Sequence, residues 1–268
     1  MRAFRFSGEG VRVMLLVVSS LKGYQIEATD GLIGTVSDFL FDDRTWKIRW
    51  MVVDTGHWLT GRKVLIHPSA IGEPDFEAEL VHVHLTQQKI KDSPDIMQDA
   101  PVTEQMEDHL YGYYGWDPMW GGAGYLSGGM IGYPLLSPLH NGGELREADR
   151  FEIRPNDGDP YLRSADAVKG YHIRATDETI GHVENFLVDD ATWTIRYLIV
   201  DTRNWWPGKH VLLAPFAVRQ IDWSSKQIRV NISSNQVKDA PAWDPLEQFD
   251  QAYERRLHTH YGWPGYGW

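Results

Sequence analysis

The stretch FLFDDRTWKIRWMVVDT at 39–55 returns as FLVDDATWTIRYLIVDT at 186–202. Each version reads as two β-rich runs around an Asp-Asp turn, and the separation is 147 residues. Working outward at that offset, KGYQIEATD (22–30) meets KGYHIRATD (169–177), and GRKVLIHPSAI (61–71) meets GKHVLLAPFAV (208–218). VHVHLT (81–86) meets IRVNIS (228–233), KDSP (91–94) meets KDAP (238–241), and YGW closes both at 114–116 and 261–263. No gap is needed from Lys22 to Trp116. One fixed offset over a domain-length window is the signature of tandem duplication.

Within one copy, short β-like runs alternate with turns: YQIEA (24–28), IGTVSDFLFD (33–42), WKIRWMVVD (46–54), RKVLIHP (62–68) and AELVHVHLT (78–86). Five or six short strands with Gly and Asp turns predict a small antiparallel barrel or sandwich. Nothing before residue 95 has helical periodicity. A helix is then expected after each barrel. Asp244 and Pro245 are read as N-cap and first helical residue, followed by the stripe Leu246, Phe249, Tyr253, Leu257. In the first copy, Asp99-Ala100-Pro101 opens a shorter helix with Val102, Met106 and Leu110.

The expected organisation has residues 14–118 as the first barrel plus helix and 161–268 as the second. A Gly-rich linker at 119–160 joins them. Residues 1–13 have no counterpart in the repeat, so they are read as a non-native leader with Met14 as the natural start. MLLVVSSLKGY (14–24) aligns with YLRSADAVKGY (161–171) as the leading strand and turn of each copy.

The chain of 268 residues has formal net charge −11 and no cysteine, which removes disulfides and thiolate metal sites. Residues 22–116 carry 8 basic and 16 acidic side chains, and residues 169–263 carry 11 and 12. An acidic chain lacks the basic footprint of a nucleic-acid binder. No apolar run approaches the roughly 20 residues a membrane-spanning helix needs.

The order K-G-Y-x-I-x-A-T-D, G-x-V-x-x-F-L-x-D-D, W-x-I-R-x-x-V-V-D-T and G-[RK]-x-V-L-[IL]-x-P resembles the PRC-barrel domain. That domain also occurs in the H subunit of purple-bacterial photosynthetic reaction centres and in a ribosome maturation factor. The resemblance implies a β-barrel used as an interaction platform, with no shared catalytic residues and no cofactor. This chain has neither the membrane-spanning run of the first relative nor the basic character suited to the second.

Several residue types invite chemistry. Asp54 and Asp201 end strands near Trp58 and Trp205, where aromatic neighbours would raise a carboxyl pKa; a turn-capping role is the plainer reading. Asp42-Asp43 and Asp189-Asp190 are too sparse for a calcium loop and suit hairpin turns. His82 and His84 alternate on one strand face, a spacing open to zinc or a similar metal. His258 and His260 lie near a helix C-terminus, where the dipole favours the cation. Trp58, Trp205, Trp206, Trp263 and Trp268 are candidates for a partner surface. No P-loop, nucleophile-elbow or HExxH pattern occurs.

The sequence therefore predicts a mainly β protein of two tandem small antiparallel barrels, packed as an intrachain pseudo-dimer and open to homo-oligomers. Its expected role is a non-catalytic cytoplasmic bacterial scaffold for a protein partner. A small-molecule or metal sensor with a pocket between the barrels is the alternative, and an RNA or ribosome-assembly factor comes last.

Overall fold

The computed structural model describes residues 3–8, 11–59, 61–94, 102–116, 159–203, 209–244 and 249–265. The first copy runs through β1 (Ala3–Gly8), β2 (Val11–Val17), β3 (Gln25–Ala28), β4 (Gly31–Asp42), β5 (Lys47–Asp54), β6 (Lys63–Ile66), β7 (Ile71–Asp75) and β8 (Leu80–Val83). Two helices follow, α1 (Gln87–Lys91) and α2 (Glu104–Tyr114). The second copy comprises β9 (Leu162–Ser164), α3 (Ala165–Val168), β10 (His172–Arg174), β11 (Thr179–Asp189), β12 (Thr194–Asp201), β13 (His210–Leu213), β14 (Val218–Asp222) and β15 (Gln227–Val230). It closes with α4 (Ser234–Asp239) and α5 (Gln251–Tyr261).

The Asp-Asp stretch builds the central hairpin of each copy. Asp42 Oδ1 accepts from the Arg44 and Thr45 N–H groups at 2.9 and 3.0 Å, and Asp189 Oδ1 accepts from Ala191 and Thr192, both at 3.0 Å. Each turn ends on a tryptophan with positive φ, Trp46 at 59° and Trp193 at 52°. That conformation costs a non-glycine residue about 1–3 kcal/mol. Here it aims the tryptophan carbonyl at the other copy: Ile48 N–H donates to Trp193 O at 2.8 Å, and Ile195 N–H to Trp46 O at 2.7 Å. Lys47 and Thr194, equivalent positions, are register partners between β5 and β12. A pseudo-twofold axis therefore passes between the two hairpins.

The leading strands are exchanged about this axis. Leu15, Leu16 and Val17 of β2 pair with Asp189, Val188 and Leu187 of β11. Reciprocally, Leu162, Arg163 and Ser164 of β9 pair with Asp42, Phe41 and Leu40 of β4. Side chains seal the exchange. Asn185 Oδ1 accepts from Ser19 N–H at 3.3 Å, as Asp38 Oδ1 does from Asp166 N–H at 3.3 Å, and Asn185 and Asp38 also bond Ser19 Oγ and Ser164 Oγ. Phe41 of one copy meets Phe186 of the other at 5.7 Å, with Trp46 stacked on Phe41 and Trp193 on Phe39. One continuous buried core results, fed from both copies.

The strand content agrees with expectation, but the arrangement corrects it. Instead of two separate sheets there is one hydrogen-bonded sheet running through both copies, in the order β14-β15-β10-β11-β12-β5-β4-β3-β8-β7, and it does not close on itself among the described residues. Nor is it purely antiparallel, because β3 pairs parallel with β8 and β10 with β15. Helix also begins earlier than periodicity indicated. Thr86 caps α1 and Ser233 caps α4, the latter with a reciprocal capping box to Gln236. These helices are too short to show a stripe, and their caps were the available signal. The described part of the last helix begins after Asp250, whose side chain accepts from Tyr253 N–H at 2.7 Å. Pro245 and Leu246 lie outside the described residues, as do Asp99, Ala100 and Pro101. Val102 precedes α2, which Thr103 caps.

Candidate functional site

The densest polar constellation lies where each long helix crosses the central hairpin. On β5, Arg49 projects toward α2 and its neighbour Trp50 is fully buried. Glu107 of α2 is 1% exposed; its Oε2 accepts from Arg49 Nη2 at 2.6 Å and its Oε1 from the Trp50 indole N–H. Arg49 Nη1 reaches Asp159 Oδ2 at 2.5 Å, just ahead of β9, and lies 3.6 Å from Asp42 Oδ2. One guanidinium thus ties strand, helix and the entry to the second copy. Burial pushes the Glu107 carboxyl up to about 7, against the pull of Arg49 and the Trp50 bond, and the nearby Asp159 carboxylate adds to the rise.

The second copy repeats the bolt at equivalent positions. Arg196 Nη2 donates to Glu254 Oε1 at 2.6 Å, Nη1 lies 3.4 Å from Asp189 Oδ2, and the Tyr197 hydroxyl donates to Glu254 at 2.7 Å. The positions of Trp50 and Tyr111 become Tyr197 and His258. His258 Nε2 lies 2.6 Å from Tyr197 Oη and its Nδ1 2.5 Å from the Pro264 carbonyl. Burial lowers the His258 pKa, against the Pro264 carbonyl bond and the Glu254 carboxylate, which pull it up; the direction is opposite to the one expected from the helix end. His260 stays at the surface side and meets the Gln236 carbonyl at 2.7 Å.

Aromatic rings cover both bolts. Tyr111 packs on Trp50 at 5.2 Å, and Trp116 stacks on Tyr114 at 3.9 Å beside His67. In the second copy, Trp263 stacks on Tyr261 at 4.2 Å and meets His258 edge-on. Both YGW signatures therefore clamp a helix end onto its sheet.

Among the residues singled out by sequence, Trp58 and Trp263 are half-buried and packed against the core. Trp205, Trp206 and Trp268 lie outside the described residues. His82 and His84 are both exposed, alternating with buried Val81, Val83 and Leu85. His82 Nδ1 meets Glu27 Oε2 at 2.9 Å. Among the described residues, no group of three or more His, Asp or Glu gathers to hold a metal.

The terminal strand aspartates are turn caps. Asp54 Oδ1 accepts from Gly56 N–H at 2.9 Å, and Asp201 Oδ1 from Arg203 N–H at 2.8 Å. The Arg203 guanidinium beside it holds the Asp201 carboxyl down at about 2, opposite to the raised value a general acid needs. Asp43 behaves differently, since burial raises it to about 6 although Arg163 sits at 3.0 Å.

The Arg49–Glu107 and Arg196–Glu254 pairs escaped the sequence reading. The signal was present, because both members recur at the same 147-residue offset. What the pattern lacked was any indication that helix and hairpin meet. Asp159 had no such signal, its partner being 110 positions away.

Among the described residues no helix is long and apolar enough to cross a membrane. A stretch of 76 residues is 33% identical to an uncharacterised protein of Deinococcus radiodurans, covering 28% of this chain and 27% of that relative. The chain thus spans about a quarter of the curated relative's length. The family model for the PRC-barrel domain matches twice, at residues 17–84 and 163–237. Those matches take in more than half of the chain and coincide with the two halves of the exchanged sheet, so this protein belongs to the PRC-barrel domain family.

Proposed function

We propose that the chain is a non-catalytic scaffold that binds a protein partner. The observation that carries this reading is the fate of the side chains suited to chemistry. Glu107, Glu254, Asp42, Asp189, Asp201 and His258 are each engaged in holding hairpin, helix or turn. A buried carboxyl with a raised pKa often marks an active site, but both oxygens of Glu107 are engaged, one by an arginine and one by an indole. The space between the copies, where a sensor pocket was the alternative, is filled by Phe39, Phe41, Phe186, Trp46 and Trp193. That packing favours the scaffold over the sensor.

Locked as a pseudo-dimer, one chain presents two related faces with different charge: the first copy strongly acidic, the second nearly balanced. Divergent charge on a common frame suits different contacts. Trp58 and Trp263, with Trp205, Trp206 and Trp268, are the proposed anchors for the partner, and the proposed location is the cytoplasm. Native mass spectrometry of the protein drawn gently from its own cells tests the reading. A stable complex with a second polypeptide, weakened by Trp58→Ala or Trp263→Ala, is the expected result. A chain carrying only a small molecule, or turning over substrate through Glu107, would overturn it.

A further inference from the structure

Hydrogen-bond register places His172 of β10 directly opposite His182 of β11. The His172 N–H donates away from β11, to the Lys226 carbonyl at 2.9 Å. The pair is therefore of the non-hydrogen-bonded kind, in which side chains across an antiparallel ladder stand closest. Their chain neighbours Ile173 and Val183 point into the core, fully buried. His172 is exposed and His182 half-buried on the opposite, outward face. Cβ atoms of such partners stand about 4.5–5.5 Å apart. Two imidazoles on that base can converge on one ion at the roughly 2.0–2.1 Å that zinc–nitrogen bonds require.

We propose that His172 and His182 form a surface site for an imidazole-loving divalent ion of the zinc class, with water completing the coordination. The row continues in register to Asp201 of β12 and His210 of β13. Those two are already engaged: Asp201 by the Arg203 fork, and His210 Nε2 with Glu184 Oε2 at 2.8 Å. The protein therefore supplies two ligands, which leaves positions open for a donor from outside.

The duplication provides an internal control. The equivalent register pair of the first copy is Gln25 opposite Thr35, neither of which suits such an ion. His82 and His84, the pair visible in the sequence, lie along a single strand instead. Two steps along one strand separate their origins by about 6.5–7 Å, and His82 is held by Glu27. The inference is independent of the scaffold reading, and its failure leaves that reading intact.

Calorimetric titration of Zn²⁺ into the chelator-treated full chain tests it. One bound equivalent is expected at neutral pH, abolished by His172→Gln and by His182→Gln and retained in His82→Gln. Should His182→Gln fail to fold, judged by circular dichroism, His172→Gln at the exposed position carries the test. The proposal is overturned if the wild type binds nothing, if both substitutions leave binding unchanged, or if His82→Gln removes it.

Discussion

Two glycines show how narrowly single residues are constrained. Gly34 and Gly181 occupy equivalent sites with φ of +152° and +154°. A Cβ on Gly34 would stand 2.1 Å from the Asp54 carbonyl oxygen, and one on Gly181 2.2 Å from that of Asp201. Both obstacles are backbone of the facing strand and cannot swing aside. Gly34→Ala or Gly181→Ala is expected to cost several kcal/mol, on the order of the larger single-mutant effects, read as a drop in urea midpoint. Gly23→Ala meets nothing within 4 Å and bears only its positive-φ strain, so it should cost roughly 1–2 kcal/mol.

Glu107 makes a second residue-scale prediction, in pH. Its folded pKa of about 7 lies above the reference value of 4.5, so the folded state holds the proton more tightly. The associated stability is complete below about pH 4.5 and is lost as pH rises through about 7. Glu107→Gln keeps an acceptor for the Trp50 indole and removes the titration. Between pH 5 and 8, the wild type should lose more stability than the variant in paired denaturant titrations. Equal losses would mean that Glu107 stays ionised beside Arg49 throughout.

Among the elements, those with strong alternation were legible in the sequence and those defined by partners were not. Val81, Val83 and Leu85 alternate with His82 and His84 in both sequence and structure, because one face of that strand meets the core. The leading strands could be seen as elements, yet nothing in MLLV or YLRS states which copy they join. In the structure Asn185 and Asp38 reach across to Ser19 and Ser164 of the other copy. Short α4 was hidden for another reason, its six residues being fewer than two turns. Its cap makes it testable: Ser233→Ala removes half of the capping box and should cost about 1 kcal/mol, visible as faster hydrogen exchange over residues 234–239.

The chemistry of the candidate site was the least legible part. Arg49 and Glu107 are 58 positions apart, and only the packing of α2 onto β5 turns them into a pair. His172 and His182 likewise become neighbours through register alone. The aspartates at turns, by contrast, had a local pattern, and their capping role follows from backbone groups two and three residues on.

Taken whole, the molecule is one folding unit made from two copies. Exchanged strands and a shared aromatic core mean that neither half completes its sheet without the other. Thermal unfolding is therefore expected as one transition, with calorimetric and van't Hoff enthalpies equal, rather than one per copy. The most direct test of the exchange uses the absence of native cysteine. Val17 and Leu187 are register partners across the copies, whereas a leading strand kept within its own copy would bring Val17 beside Leu40, the counterpart of Leu187. Cysteines at 17 and 187 should oxidise to an intrachain disulfide in the monomeric protein, and cysteines at 17 and 40 should not. Efficient closure of the 17–40 pair, with none between 17 and 187, would contradict the exchanged fold.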